Sequence, residues 1–395
     1  MKSMIDEKIS QAIGILKEKK IDMWLTFVRE SSTIPDPAIE MVVGTGCTWQ
    51  TAYIITAKGE TIAIAGSLDT SNIKTHGHYK EVIGYVQGIE ADLMKVLNRI
   101  KPKKIAINYS TDSVMSDGLT HGMYLQLQGY LKKTPFASRL VSSEEIMSAL
   151  RGRKSPEELK RIKKAISQTL AIYDRVTGYV RAGITEKDVA NFILKEMNRM
   201  GIKERAWDAD HCPAVFSGPD TAGAHAGPTN RTVQGGHIVN IDFGVKYDGY
   251  CSDLQRTWYI RRKSEAAPPK EVLEGFNVIR DSIRLAAQYL KPGAVNWKVD
   301  DVARTYITSH GYDEYPHALG HQVGRAAHDG GGVLCPRWER YGTIPFGKVE
   351  ADQVYTLEPR LTVKNYGVAT VEEIVTVTPN GTLFLSKPQQ KIFVV

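Results

Sequence analysis

The chain has 395 residues, enough for two domains that each bury a core of their own. Its 42% hydrophobic and 24% charged content is that of an ordinary globular protein and excludes disordered and fibrous classes. A formal charge of +7 raises the question of nucleic acid, but the basic runs KPKK (101–104), RGRK (151–154) and RRK (261–263) are short and scattered. No nucleic-acid motif accompanies them, so they read as solvated faces.

The N-terminal stretch MKSMIDEKISQAIGILKEKK predicts an amphipathic charged helix over about 5–19, without the apolar core of a signal peptide. No apolar run reaches the length of about 18 residues that spans a bilayer, so no membrane partner and a cytoplasmic location are expected. IDMWLTFV then reads as a strand, TAYIIT and TIAIAG as a hairpin around AKGE, EVIGYV as a strand, IEADLMKVLNRI as a helix and KIAINY as a strand. Together they form an α/β unit over 1–145. From 155 the pattern changes. Ser155, Pro156 and Glu158 spell the start of a helix, and Thr185 with Asp188 starts another that runs to a glycine stop. Further helices are expected at about 269–291 and 298–310. Strand-rich stretches at 212–217, 237–260 and 353–378 make the region 155–395 an α+β domain. Cys47, Cys212, Cys251 and Cys335 are too dispersed for a zinc ribbon or a disulfide scaffold, and read as reduced thiols.

The segment VNIDFGVKYDGYCSDLQRT (239–257) alternates like a hairpin, with Val239, Ile241, Phe243 and Val245 on one side and Asn240, Asp242 and Gly244 on the other. If Asp242 faces Asp253, the hairpin centres between Tyr247 and Asp248, inside the expected turn. In VYTLEPRLTVKNYGVATVEEIVTV, Glu358 and Glu372 likewise centre on Asn365, within the turn candidate KNYG. Like charges directly opposed in a sheet are destabilising, and carboxylates sharing a site cannot all ionise cheaply without a cation or a shared proton. Acidic residues on exposed strands are common, so one such hairpin is ambiguous, whereas two with the same device point to divalent metal ions. Alternation alone leaves Glu372 and its neighbour Glu373 open.

Seven of the ten histidines fall between residues 211 and 328, and the tightest group, His317, His321 and His328, lies in YPHALGHQVGRAAHDGGG. A neutral imidazole is the usual nitrogen ligand to join carboxylates. A helical zinc motif through His317 and His321 is disfavoured by Pro316 and Gly320 and by the missing glutamate.

The segments GAHAGPTNR, VNIDFGVKYDGYCSDLQRT, PHALGHQVGRAAHD, TLEP and VEEIVTVT occur in the order and approximate spacing of the metallopeptidase family containing Xaa-Pro dipeptidase (prolidase), aminopeptidase P and methionine aminopeptidase. The resemblance covers about 155–395, and the N-terminal unit resembles the creatinase-type domain of the proline-specific branch. It implies a pita-bread catalytic domain with two divalent ions, Mn2+ foremost, with Co2+, Fe2+ or Zn2+ compatible with the same donors. It implies Asp242, Asp253, His321, Glu358 and Glu372 as ligands, Asp253 and Glu372 bridging, and selects Glu372 over Glu373. His225, His317 and His328 match the family's non-ligand histidines, and His225, His328 and Glu358 are the implied catalytic groups. The expected reaction is hydrolysis of an Xaa-Pro dipeptide or an N-terminal Xaa-Pro bond by a metal-bridging hydroxide, with Glu358 accepting its proton. The resemblance also implies a homodimer. Alternatives within the fold are a metal-independent C–N hydrolase like creatinase, against which all five ligand types argue, and a non-catalytic peptide-binding relative. The chain departs from the family in Thr370, where arginine is frequent, in Arg360, where glycine follows Glu-Pro, and in a longer segment containing CPRWERYG, whose Arg337 and Arg340 are candidates for holding a substrate carboxylate.

Overall fold

A computed structural model describes residues 3–220 and 226–395, and divides the chain into two compact units, Met1–Arg151 and Gly152–Val395. In the first, α1 (Met4–Glu18), β1 (Met23–Val28), β2 (Thr51–Thr56), β3 (Thr61–Gly66), α2 (Thr70–His76), β4 (Glu81–Tyr85), α3 (Glu90–Ile100), β5 (Ile105–Ile107), α4 (His121–Leu131), β6 (Leu140–Ser142) and α5 (Glu144–Gly152) follow in order. The sheet runs β4-β3-β2-β1-β5-β6, with β2 antiparallel to both neighbours and the remaining pairs parallel. Strand alternation sorts its apolar residues onto two faces. Trp24, Tyr53, Ile55 and Ala63 pack with α1 and α5, while Met23, Leu25, Ile54 and Ile62 pack with α3 and α4. Both faces are covered, which is why β1 is buried at every position and apolar at all but Thr26.

The second unit opens with α6 (Pro156–Thr177) and α7 (Glu186–Arg199). Each begins with the expected reciprocal cap, Ser155 with Glu158 and Thr185 with Asp188. Then come β7 (Glu204–Arg205), β8 (Ala214–Ser217), β9 (Ile238–Phe243), β10 (Val245–Tyr247), β11 (Tyr250–Cys251), β12 (Leu254–Tyr259), α8 (Lys270–Tyr289), α9 (Asn296–Ser309), β13 (Gly320–His321), β14 (Val333–Leu334), β15 (Val354–Leu357), β16 (Arg360–Val363), β17 (Gly367–Thr370), β18 (Glu373–Thr378), β19 (Gly381–Phe384) and β20 (Phe393–Val394). The α+β character expected from the sequence is present. Apolar faces of α8 and α9 pack on Tyr355, Leu357, Leu361, Val363, Ala369, Val371, Val375 and Val377, odd-numbered positions along two antiparallel strands. The even-numbered positions therefore face away from this core.

The first acidic hairpin corrects the expected register. Asp242 faces Gln255, and Lys246 faces Cys251. The chain thus turns between Asp248 and Gly249, one position later than the acid-to-acid pairing requires. Both turn residues have positive φ, 47° and 81°, the conformation that a two-residue hairpin of matching twist demands. Asp253 lies in the break between β11 and β12, opposite Gly244 by the same count. Asp242 and Asp253 are diagonal neighbours on one face, because a shift by two positions preserves the side on which a side chain projects. A Cβ at Gly244 would lie 2.0 Å from the carbonyl oxygen of Ser252, so only glycine fits there. The second hairpin keeps its expected register. Leu357 faces Glu373 and Arg360 faces Thr370, which sets Glu358 opposite Glu372 with Asn365, at φ 69°, in the turn.

A buried ion pair ties the two hairpins together. Arg256 on β12 donates to Glu373 Oε2 at 3.1 Å and to the main-chain oxygen of Glu372 at 2.9 Å, and the side chains are 2% and 1% exposed for Arg256 and Glu373. Ser386 and the main-chain nitrogen of Gln389 supply further donors to Glu373. Arg256→Met should cost about 3–5 kcal/mol in urea unfolding, because it strands a buried carboxylate, and the double variant Arg256→Met/Glu373→Leu should recover most of that loss. Equal losses in the single and double variants would contradict a compensated pair.

Candidate metal centre

Asp242 projects from β9, Asp253 from the break before β12, Glu358 from the end of β15 and Glu372 from the start of β18. His321 joins them from β13, which a close approach to β15 holds in place. A Cβ at Gly320 would lie 2.0 Å from the oxygen of Thr356, while the main-chain nitrogen of Glu358 donates to Leu319 at 2.7 Å and that of His321 to Thr356 Oγ1 at 3.1 Å. His321 is thus on a strand, and the helical zinc reading does not arise. The imidazole Nε2 lies 3.2 Å from Glu358 Oε1, 3.7 Å from Asp253 Oδ2 and 3.9 Å from Glu372 Oε1. One ligand atom each from Asp253, His321 and Glu372 lies within 4.8 Å of the others.

The electrostatics of this cluster are those of a site built around positive charge. Burial first, then the charges of Asp253 and Glu358, push the Asp242 carboxyl far above its ordinary range. Burial, then Asp253, Glu358 and Asp242, do the same to Glu372. Asp253 is raised by burial and by Glu358, with His321 opposing. Burial also pushes Glu358 upward, but its hydrogen bond to His321 and the charges of His321, His317 and His328 outweigh that and hold it ionised. Burial opposes protonation of His321, yet Glu358 and Asp253 raise its pKa overall. Asp242 Oδ1 and both carboxylate oxygens of Glu372 are buried without a hydrogen-bond partner among the described residues. Buried polar atoms are seldom left so, and two acids with three unmet acceptor oxygens match the needs of a divalent cation with oxygen ligands. The His321 Nδ1 lies 3.2 Å from the carbonyl of Gln322. Donation there keeps a proton on Nδ1, so that loss of the Nε2 proton, which in the metal-free site is shared with Glu358, would leave the lone pair that a metal ligand requires.

The surrounding hydrogen bonds explain what sequence patterning left open. Glu373 is engaged by Arg256, so only Glu372 is free to serve as a ligand. Gln255, which patterning did not single out, faces Asp242 and donates to Glu358 Oε2 at 3.3 Å, linking the two acidic hairpins. Its only sequence signal is its place two residues after Asp253 on the same face. Asp300 and Arg304 of α9 hold the histidine segment. Asp300 accepts from the main-chain nitrogen of Leu319 at 2.9 Å, and Arg304 donates to the oxygens of Tyr315 and His317, each at 2.7 Å.

Of the three other predicted histidines, two flank the centre. The His328 ring lies 4.1 Å from that of His321, edge to face, and His317 packs 5.1 Å from Tyr315 with its Nδ1 2.8 Å from the carbonyl of Ala318. Both lie close enough for their charge to act on Glu358. His225 lies outside the described residues. Arg337 stacks 4.2 Å over Trp297, and Arg340 covers Trp338 and donates to the oxygen of Pro316.

The sequence profile of metallopeptidase family M24 matches residues 160–379. An uncharacterized peptidase of Staphylococcus saprophyticus is 28% identical over 331 residues, covering 84% of this chain and 86% of that protein. Among solved structures, an Xaa-Pro dipeptidase from Bacillus anthracis superposes with a TM-score of 0.73 at 22% identity, covering 99% of this chain and 100% of that one. An X-Pro aminopeptidase from Thermotoga maritima gives 0.70 at 24% identity, covering 98% and 99%. At these identities the structural likeness speaks for the fold, which is the expected pita-bread architecture. Because the family profile spans more than half of the sequence, the chain belongs to metallopeptidase family M24 and is a metallopeptidase.

Proposed function

We propose that the protein hydrolyses Xaa-Pro dipeptides or N-terminal Xaa-Pro bonds with two divalent cations, Mn2+ in the first instance, held by Asp242, Asp253, His321, Glu358 and Glu372. The observation that carries this reading is the convergence of Asp253, His321 and Glu372 within 4.8 Å, beside buried acid oxygens that have no hydrogen-bond partner among the described residues. The names of similarly folded proteins, Xaa-Pro dipeptidase and X-Pro aminopeptidase, support proline-containing substrates. In this reading residues 1–145 form a creatinase-like domain, residues 155–395 form the catalytic domain, and the enzyme is a cytoplasmic homodimer. Among the described residues no helix is long and apolar enough to cross a membrane.

When bound, the cations acidify a water and polarise the scissile carbonyl. Glu358, kept ionised by the imidazoles around it, takes a proton from the attacking water and delivers it to the leaving nitrogen. His328, packed on His321, and His225 donate toward the developing oxyanion, and His317 joins them in binding substrate. Asp253 and Glu372 would each contribute to holding both cations, Asp242, His321 and Glu358 would supply the remaining donors, and Gln255 fixes the orientation of Glu358.

The test is a mass-spectrometric panel of Xaa-Pro dipeptides and longer Xaa-Pro peptides with metal-stripped and Mn2+-loaded protein. Hydrolysis is expected only in the loaded form, and inactivity of loaded protein on every substrate would sink the proposal. Mn2+ at 100 times its Kd should stabilise the fold by about 2.7 kcal/mol, read as a rise in Tm. Glu372→Gln should stabilise the metal-free protein by roughly 1–3 kcal/mol, since it removes a buried charge, while abolishing the Mn2+-dependent rise. A metal-free variant no more stable than the parent would argue against stored repulsion at this site.

A further inference from the structure

We propose that Arg360 binds a carboxylate of the peptide substrate and so gives the enzyme a preference for peptides that carry a free carboxylate next to the scissile bond. The inference deepens the peptidase reading above and rests on it. Arg360 opens β16 and faces Thr370 at the end of β17. Leu361, Val363, Ala369 and Val371 take up the core side of this ribbon. Alternation therefore sets Arg360 and Thr370 on the other side, which is the side of Glu358 and Glu372, two residues away on each strand.

The Arg360 side chain is partly buried. Thr370 across the ladder offers it no carboxylate, and the main-chain oxygen of Thr370 is already occupied by Asn240 and Thr257. Among the described residues no hydrogen bond, ion pair or ring engages Arg360. Two arginines buried elsewhere in this unit have carboxylate partners. Arg256 pairs with Glu373, and Arg304 pairs with Asp300 and Glu314. Arg337 and Arg340, at the rim, lie on aromatic rings. A cation withdrawn from water without an anion is unfavourable, and the planar fork of arginine matches a carboxylate with two parallel hydrogen bonds. Placed beside the metal ligands but paired with none of them, Arg360 is suited to the carboxylate of a short peptide whose scissile carbonyl lies at the metal centre.

Steady-state kinetics of Mn2+-loaded parent, Arg360→Met and Arg360→Lys on three probes decide the matter: alanyl-proline, alanyl-proline amide, and alanyl-prolyl-glutamic acid α-amide. Arg360→Met should raise KM for alanyl-proline by roughly 10- to 100-fold, change the amide less than about threefold, and leave bound Mn2+ unchanged by elemental analysis, with Arg360→Lys intermediate. Loss on the glutamyl peptide in place of alanyl-proline assigns the carboxylate to a side chain and still supports the proposal. Equal loss on acid and amide, or no loss on either acid, overturns it. If the parent cleaves none of the probes, the peptidase reading fails, and calorimetric binding of alanyl-proline still judges Arg360. Weaker binding by Arg360→Met supports its role, whereas unchanged or undetectable binding by the parent removes it.

Discussion

Mutual repulsion among buried carboxylates is the constraint around which the second unit is organised. Asp242, Asp253, Glu358 and Glu372 come from two hairpins, the last three meet at one imidazole, and two of these acids carry oxygens with no hydrogen-bond partner among the described residues. Bringing such groups out of water costs several kcal/mol each, and their proximity adds to that cost. A fold tolerates this arrangement when it binds cations, and the rest of the unit can be understood as what holds the acids in place until they do.

The supporting structure separates two kinds of buried acid. Glu373 is stabilised within the protein by Arg256, Ser386 and Gln389, whereas Glu372, its neighbour, points to the opposite side of the strand and has no such partners. Arg256 touches both through one side chain, pairing with the carboxylate of Glu373 and the main-chain oxygen of Glu372. The same guanidinium thus anchors the strand and leaves the Glu372 carboxylate available to the metal in the proposed site. Asp300 and Arg304 do equivalent work for the histidine segment, holding its backbone while His321 Nε2 stays open toward the acids.

The proposed catalysis would draw on the way one cluster produces opposed protonation tendencies. Three of its acids are driven upward by burial and by one another, while Glu358 is held ionised by the imidazoles next to it. That asymmetry is what a hydrolase needs, with most acids reserved for cations and one acid retaining the capacity to accept a proton. Arg360 extends the same logic outward. On the face that carries the proposed metal ligands, it is the cation we propose the substrate neutralises.

Much of this was legible in the sequence because hairpin registers and strand alternation are local. The turn at Asn365 and the opposition of Glu358 to Glu372 follow from residue spacing, as do the helix caps at Ser155 and Thr185. Even where the first hairpin's turn falls one position later than expected, Asp242 and Asp253 remain on one face, because sidedness repeats every two residues. What spacing could not reach was long-range. Whether Glu372 or Glu373 is paired depends on Arg256, more than 100 residues earlier. The link through Gln255 exists only once two separately formed hairpins lie against each other, and the direction of His321 depends on the approach of β13 to β15. Alternation along a strand sets the side on which a side chain projects, but only tertiary packing decides which partners await it there. That is why the sequence by itself determined the ligand types and their pairing into hairpins, while the folded chain decided which acids are neutralised internally and which are left for metal.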